Sequence, residues 1–122
     1  MAISRKGANS ERELVKIFKG LKWGCVRIAG SGKMDKAPDI IAGTKGRLLI
    51  IECKSSKKDF IYVKTEEVLG VIDYAEKFGG EPWYAFRFNH HPWKFVPAHT
   101  LLKFNKVTPQ TGLYFEDLIS NS

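Results

Sequence analysis

Glu52-Cys53-Lys54 is the shortest stretch of this sequence from which chemistry can be read. Residues two apart in a strand leave the same face with Cα atoms ~7 Å apart, so Glu52 and Lys54 stand side by side while Ile51 and Cys53 point the other way. A run as aliphatic as Leu48 to Ile51 marks a buried, central strand. A carboxylate and an ammonium closing such a strand are costly unless they are paired or used. Asp39 heads the neighbouring apolar run Ile40-Ile41-Ala42, directly after Pro38. Across a hairpin it faces the Glu52 end of the sheet only if the two strands splay or stagger. Glu11 enters on separate grounds. At ~100° per residue, Val15 and Phe18 lie within about 40° of it around a helix axis, and Leu14 within about 60°. Its carboxylate therefore sits in the apolar stripe, either as a first-turn group favoured by the helix dipole or as a site residue looking into the sheet. Arg12, Glu13 and Lys16 fall on the other side, where solvent or phosphate is expected.

Three carboxylates meeting within ~4 Å repel by about 4 kcal/mol per pair at an effective dielectric of 20, so a cation must offset them. Oxygen ligands with open positions suit Mg²⁺ or Mn²⁺, which keep several waters and bridge to substrate phosphates. The fitting chemistry is phosphodiester hydrolysis. Asp39 and Glu52 would hold the metal, the metal would acidify an attacking water, and Lys54 would orient that water or stabilise the pentavalent transition state.

The elements that must position these groups follow from local signals. Ser10 with Glu13 three residues later reads as a capping box, and Leu14, Val15, Phe18 and Leu21 continue at helical spacing, predicting a helix over 10–21. Gly24 ends it, residues 25–29 read as a short strand, and Gly30-Ser31-Gly32-Lys33 as a flexible basic loop. The run beginning at Ile40, a turn at Gly43-Thr44-Lys45-Gly46 and the strand 47–54 predict a hairpin. A second helix is expected over 66–78, stopped by Gly79-Gly80. Residues 82–88 and 93–96 read as aromatic-rich strands joined by Asn89-His90-His91-Pro92, with one more strand and a short helix near 112–119. The order predicts one α/β domain spanning 1–122, a central mixed sheet flanked by helices.

Composition and charge agree with that picture. The chain has 122 residues, 43% hydrophobic and 27% charged, with a net charge of +7. Such a chain builds one core without disulfides, and it is neither collagen-like nor disordered. Residues 1–64 hold 15 Lys and Arg against 6 acids, whereas residues 65–122 hold 5 against 7. A basic half of +9 beside an acidic half of −2 points to a polyanion bound by the first half. Cys25 and Cys53 lack CxxC spacing and read as reduced, buried thiols. The Gly30 to Lys33 loop is not an ATPase phosphate loop, since Arg27 and Met34 stand where that motif needs Gly and Ser or Thr. His90-His91 reads as a polar turn, and Trp83 and Trp93 as core. No secretory signal or membrane span is read, so a cytoplasmic protein without a nucleotide cofactor is expected.

Pro38-Asp39 followed by Glu52-Cys53-Lys54 resembles the PD-(D/E)xK signature of the restriction-endonuclease-like nucleases. The match sharpens with Arg5-Lys6-Gly7-Ala8, Glu11-Arg12-Glu13-Leu14, Val26-Arg27-Ile28-Ala29-Gly30-Ser31-Gly32, Lys57-Lys58-Asp59 and Phe78-Gly79-Gly80. That series, in register from about residue 5 to Trp93 and continued by Thr108-Pro109 and Gly112, resembles the archaeal Holliday junction resolvases. The resemblance implies a restriction-endonuclease-like fold and a Mg²⁺-dependent homodimer that nicks opposed strands of a four-way DNA junction in recombination and repair, in the nucleoid. Glu11, Asp39, Glu52 and Lys54 match its catalytic positions, the three acids as metal ligands, and Ser31 matches a serine near the active site. Arg5, Lys6, Arg12, Arg27, Lys33, Lys57 and Lys58 would be DNA contacts. Between Asp35 and Asp39 as metal ligand, position favours Asp39, which opens the apolar run while Asp35 lies between lysines.

The dimer has its own signal. In the 66–78 helix, Val68, Leu69, Val71, Ile72, Tyr74, Ala75 and Phe78 cover an arc of roughly 200°, about twice what packing on one sheet needs. Tyr74 and Phe78, an i, i+4 pair on the edge away from Leu69, are the candidate subunit contact. Two other readings compete with junction resolution: a catalytically silent junction-binding module, and a PD-(D/E)xK nuclease acting on duplex DNA.

Overall fold

A computed structural model describes residues 2–28 and 37–120, with side chains from residue 9 onward. Helix α1 (Ala2–Gly20) buries Leu14 and Phe18, the i, i+4 pair the sequence places inward. It starts at Ala2 and runs through Ser10, so the expected capping box does not form. The stretch ahead of Ser10 contains no proline, and Glu13 is engaged elsewhere: its Oε1 accepts from Trp93 Nε1 at 2.8 Å and from Arg87 Nε at 3.2 Å.

Strands β1 (Gly24–Arg27), β2 (Ile40–Thr44) and β3 (Arg47–Ser56) pair antiparallel in sequence order. β1 stops two residues short of the predicted strand end. The β2–β3 hairpin turns at Lys45-Gly46, where Gly46 takes φ 89°, a left-handed value that a two-residue hairpin loop demands. A short strand β4 (Ile61–Tyr62) precedes helix α2 (Thr65–Phe78). Gly79, at φ 75°, ends that helix, and the Gly80 N–H closes back on the Ala75 carbonyl at 2.8 Å, as its Gly-Gly signal predicts.

Strand β5 (Glu81–Phe88) runs parallel to β3, and β6 (Lys94–Pro97) returns antiparallel through a turn holding His90 and His91. A 3₁₀ turn (Ala98–Leu102), β7 (Lys106–Val107), β8 (Leu113–Tyr114) and helix α3 (Phe115–Ser120) complete the chain. Among the described residues six strands form one mixed sheet in the order β1-β2-β3-β5-β6-β8, while β4 and β7 make a separate ribbon.

Strand alternation sorts two cores onto the two faces of this sheet. Leu14 and Phe18 of α1 pack with Ile40, Leu49, Ile51, Trp83 and Phe95. Val68 and Val71 of α2 pack with Tyr84, Phe86, Phe88 and Val96. Each of these large side chains contributes about 1.5–3 kcal/mol by leaving water, so β3, covered on both faces, is a rigid mount. Cross-strand partners share a face, and Glu52 pairs with Tyr84 while Lys54 pairs with Phe86. Glu52 and Lys54 are therefore on the α2 face, whereas Glu11 comes from the helix on the other.

Among the described residues no helix is long and apolar enough to cross a membrane. Both cysteines are free, Cys25 buried and Cys53 partly so.

Candidate active site

The last ladder pair of the β2–β3 hairpin on this side is Ile40 with Ile51, which brings Asp39 opposite Glu52. No splaying or stagger is needed. The Asp39 N–H still donates to the Ile51 carbonyl at 3.0 Å, but one step further the Asp39 side chain takes over the ladder: the Cys53 N–H donates to its Oδ2 at 2.8 Å. This is how the end of a strand becomes a carboxylate mount.

The consequence is electrostatic crowding. Burial, followed by the charges of Asp39 and Glu67, pushes the Glu52 carboxyl up to about 9. Burial also raises Asp39 against a lowering contribution from the Cys53 N–H, and Glu52 hydrogen-bonds to it. The Asp39–Glu52 pair as a unit therefore favours holding a proton near neutral pH. The Cys53 thiol is pushed far up by its burial and by the same acids, so it is inert as a nucleophile at neutral pH.

Glu11 is held short of this pair. Its Oε1 accepts from Arg27 Nε at 2.8 Å, across the gap between α1 and β1. Burial and then Asp39 raise its carboxyl, while Arg27 lowers it, so Glu11 feels the Asp39 charge without joining it. Among the described residues no three acids, histidines or cysteines converge closely enough to enclose a metal ion. The three acids expected from sequence thus share one electrostatic neighbourhood without forming such a group, and Glu11 is paired with Arg27, expected on DNA. Asp39 and Glu52 alone do fit a Mg²⁺-type cation, which is commonly held by one or two carboxylates with water and phosphate completing its shell.

Lys54 finds a partner outside its own strand. Its Nζ lies 2.6 Å from Oε2 of Glu67, in the first turn of α2. The other Glu67 oxygen accepts from the Tyr84 hydroxyl at 3.2 Å, and burial keeps that hydroxyl protonated by pushing its pKa far up. Sequence reading missed Glu67, although the test that singled out Glu11 applies to it: Val71, four residues on, is buried about 40° away around the helix.

Arg12 is exposed on α1, and Lys57 and Lys58 are exposed in the bend that follows β3. Arg5 and Lys6 belong to the first turns of α1, but their side chains lie outside the described residues, as do Ser31, Lys33 and Asp35 altogether. Tyr74 and Phe78 meet edge to face with centroids 6.1 Å apart, and Phe78 is half exposed, as is Leu69.

A mixed sheet between two helices, with carboxylates and a lysine at the end of its central hairpin, is the architecture of the restriction-endonuclease-like nucleases. A bacterial homing endonuclease shares the fold alone, at 10% identity and a TM-score of 0.59 over 86% of this chain and 76% of its own. The family model for the archaeal Holliday junction resolvase (Hjc) matches residues 2–122, and the chain belongs to that family. It is similar to Hjc of Archaeoglobus fulgidus, described as a Holliday junction resolvase, with a TM-score of 0.83 and 27% identity over 94% of this chain and 96% of that one. A crossover junction endodeoxyribonuclease Hjc of Methanocaldococcus jannaschii is 42% identical over 85 residues, 70% of this chain and 61% of that protein. The match thus spans somewhat less than two-thirds of that relative's length.

Proposed function

We propose that the whole chain, residues 1–122, acts as one structure-selective endodeoxyribonuclease that resolves four-way DNA junctions by hydrolysing a phosphodiester in each of two opposed strands. The observation that carries this reading is the half-buried Asp39–Glu52 pair, facing each other at the end of the hairpin with Lys54 on the same face as Glu52. Family membership supplies the substrate class.

Asp39 and Glu52 would hold a Mg²⁺-type ion, which supplies charge neutralisation and a more acidic water when bound. The chain's own residues do the rest. Cys53, through its N–H, fixes the Asp39 carboxylate so that it is not free to rotate away. Lys54 presents its ammonium to the non-bridging phosphate oxygens as negative charge grows on them. Arg27, drawn to a backbone phosphate, would release Glu11 toward the acid pair and couple DNA binding to assembly of the full carboxylate set. Arg5, Lys6, Arg12, Lys33, Lys57 and Lys58 track the phosphates, with Ser31 near the reacting one. A homodimer formed through the Tyr74 and Phe78 face of α2 would supply two such centres for the two strands.

The test is incubation with a four-way junction and with a linear duplex of the same sequence, with and without Mg²⁺. Paired nicks near the branch point, requiring the metal, are expected. Equal cutting of the linear duplex would assign the chain to duplex cleavage, and tight junction binding without any cut would make it a binding module.

A further inference from the structure

Lys54 acts electrostatically on Asp39 and Glu52, yet its hydrogen-bond partner lies outside its own sheet. Its position on β3 points it along the same face as Glu52, yet its 2.6 Å partner is Glu67 on α2. Three separate elements make this contact: β3 carries Lys54, the first turn of α2 carries Glu67, and β5 carries Tyr84 beside Glu52 in register. Tyr84 is fully buried, so its hydroxyl has a fixed position and fixes in turn the Glu67 oxygen it donates to at 3.2 Å. A lysine on a four-carbon stem otherwise samples many rotamers. With Asp39 and Glu52 as its only anions it would fold onto them and occupy the place a divalent cation needs.

Resting on the reading of this strand end as a hydrolytic centre, we propose that Glu67 is the positioning residue for Lys54. Its carboxylate, oriented by the Tyr84 hydroxyl, holds the ammonium at the rim of the Asp39–Glu52 pair and out of it. Glu67 touches no reacting atom in this scheme. A plain first-turn acid, present only to favour the helix N-terminus, would also stabilise α2, but it would not act through Lys54.

Glu67→Gln keeps the shape and an oxygen for Tyr84 while removing the charge. Single-turnover cleavage of a four-way junction in Mg²⁺ is expected to fall about tenfold to a hundredfold, the range typical of groups that orient active-site ligands. Junction affinity measured in Ca²⁺ is expected to stay unchanged. In a Lys54→Met background, adding Glu67→Gln should cost nothing more, and Tyr84→Phe should show a smaller loss with the same dependence on Lys54. An equal loss from Glu67→Gln in both backgrounds would overturn the proposal.

A second readout needs no cleavage. The Lys54 ε-methylene NMR signal of the metal-free protein should stand apart from those of exposed lysines in the wild type and rejoin them in Glu67→Gln. An unchanged signal would overturn the proposal. A wild-type chain that cuts no junction while its Lys54 signal responds would fault the hydrolytic reading and leave the pairing intact.

Discussion

The two ends of β3 carry opposite electrostatics. At its start, Arg47 donates to Glu81 on β5 through Nε at 2.9 Å and Nη2 at 2.7 Å, and through Nη1 to the Leu118 carbonyl at 2.7 Å. The hydrogen bonds from Arg47 hold the Glu81 carboxyl below its ordinary value. At its far end, burial and neighbouring acids drive Glu52 the other way, to about 9. One strand thus shows both uses of partly buried charge. Complementary pairing ties β3, β5 and α3 together, whereas at the far end Asp39, Glu52 and Glu67 crowd around one lysine, Lys54.

The sharpest way to break this contrast is to neutralise each end. Asp39→Asn or Glu52→Gln should abolish junction cleavage, on the order of 10³-fold in single-turnover rate, because a cation site supplies several kcal/mol of transition-state stabilisation. Junction binding should persist. Arg47→Ala at the other end should leave cleavage intact and lower unfolding stability by about 1–2 kcal/mol in urea titration, discounted because Glu81 is partly exposed. Loss of activity in folded Arg47→Ala would erase the distinction.

The pH dependence sharpens it further. Glu81, depressed in the fold, contributes stability that is present near neutrality and lost as pH falls through the acid range. Glu52, raised from 4.5 to about 9, works with the opposite sign: the folded state keeps a proton that the unfolded chain releases, so stability falls as pH rises through that window. Thermal melts in EDTA should therefore decline from pH 5 to 9 in the wild type, and Glu52→Gln should remove most of the decline. Mg²⁺ should flatten it as well, by replacing the shared proton.

Two smaller effects concern the basic half and the second helix. If about six phosphates are neutralised, log K for junction binding should fall with log salt at a slope near −5, and Lys58→Ala should reduce that slope by about 1. A flat titration would deny the charge asymmetry any role. Phe78→Asp should turn a dimer into a monomer in sedimentation, and a wild-type monomer at micromolar concentration would remove α2 as the contact.

What the sequence made legible was local. The hairpin around Lys45-Gly46, the helix closing at Gly79 and the aromatic strands were all signalled by periodicity and turn residues within a few positions. The start of α1 was misread because Ser10 and Glu13 have the spacing of a cap, while the partner that claims Glu13, Trp93, is 80 residues away. Register carried the rest. That Asp39 faces Glu52 depends on the pairing of Ile40 with Ile51, and that Lys54 meets Glu67 depends on which face of the parallel β3–β5 pair receives α2. The first follows from the two-residue turn at Lys45-Gly46, which sets the hairpin register, whereas the second leaves no mark in nearby residues. Glu11 was found on the inward stripe of its helix, as expected, but its pairing with Arg27 joins two elements that only the fold brings together.

Mn²⁺ binding read by electron paramagnetic resonance on the wild type and on Glu52→Gln, each with a four-way junction bound, tests the acid pair most directly. Tight binding to the wild type that collapses in Glu52→Gln together with cleavage is the predicted result. Equal Mn²⁺ binding by the two proteins, or cleavage surviving in Glu52→Gln, would contradict the assignment of this strand end as the hydrolytic centre.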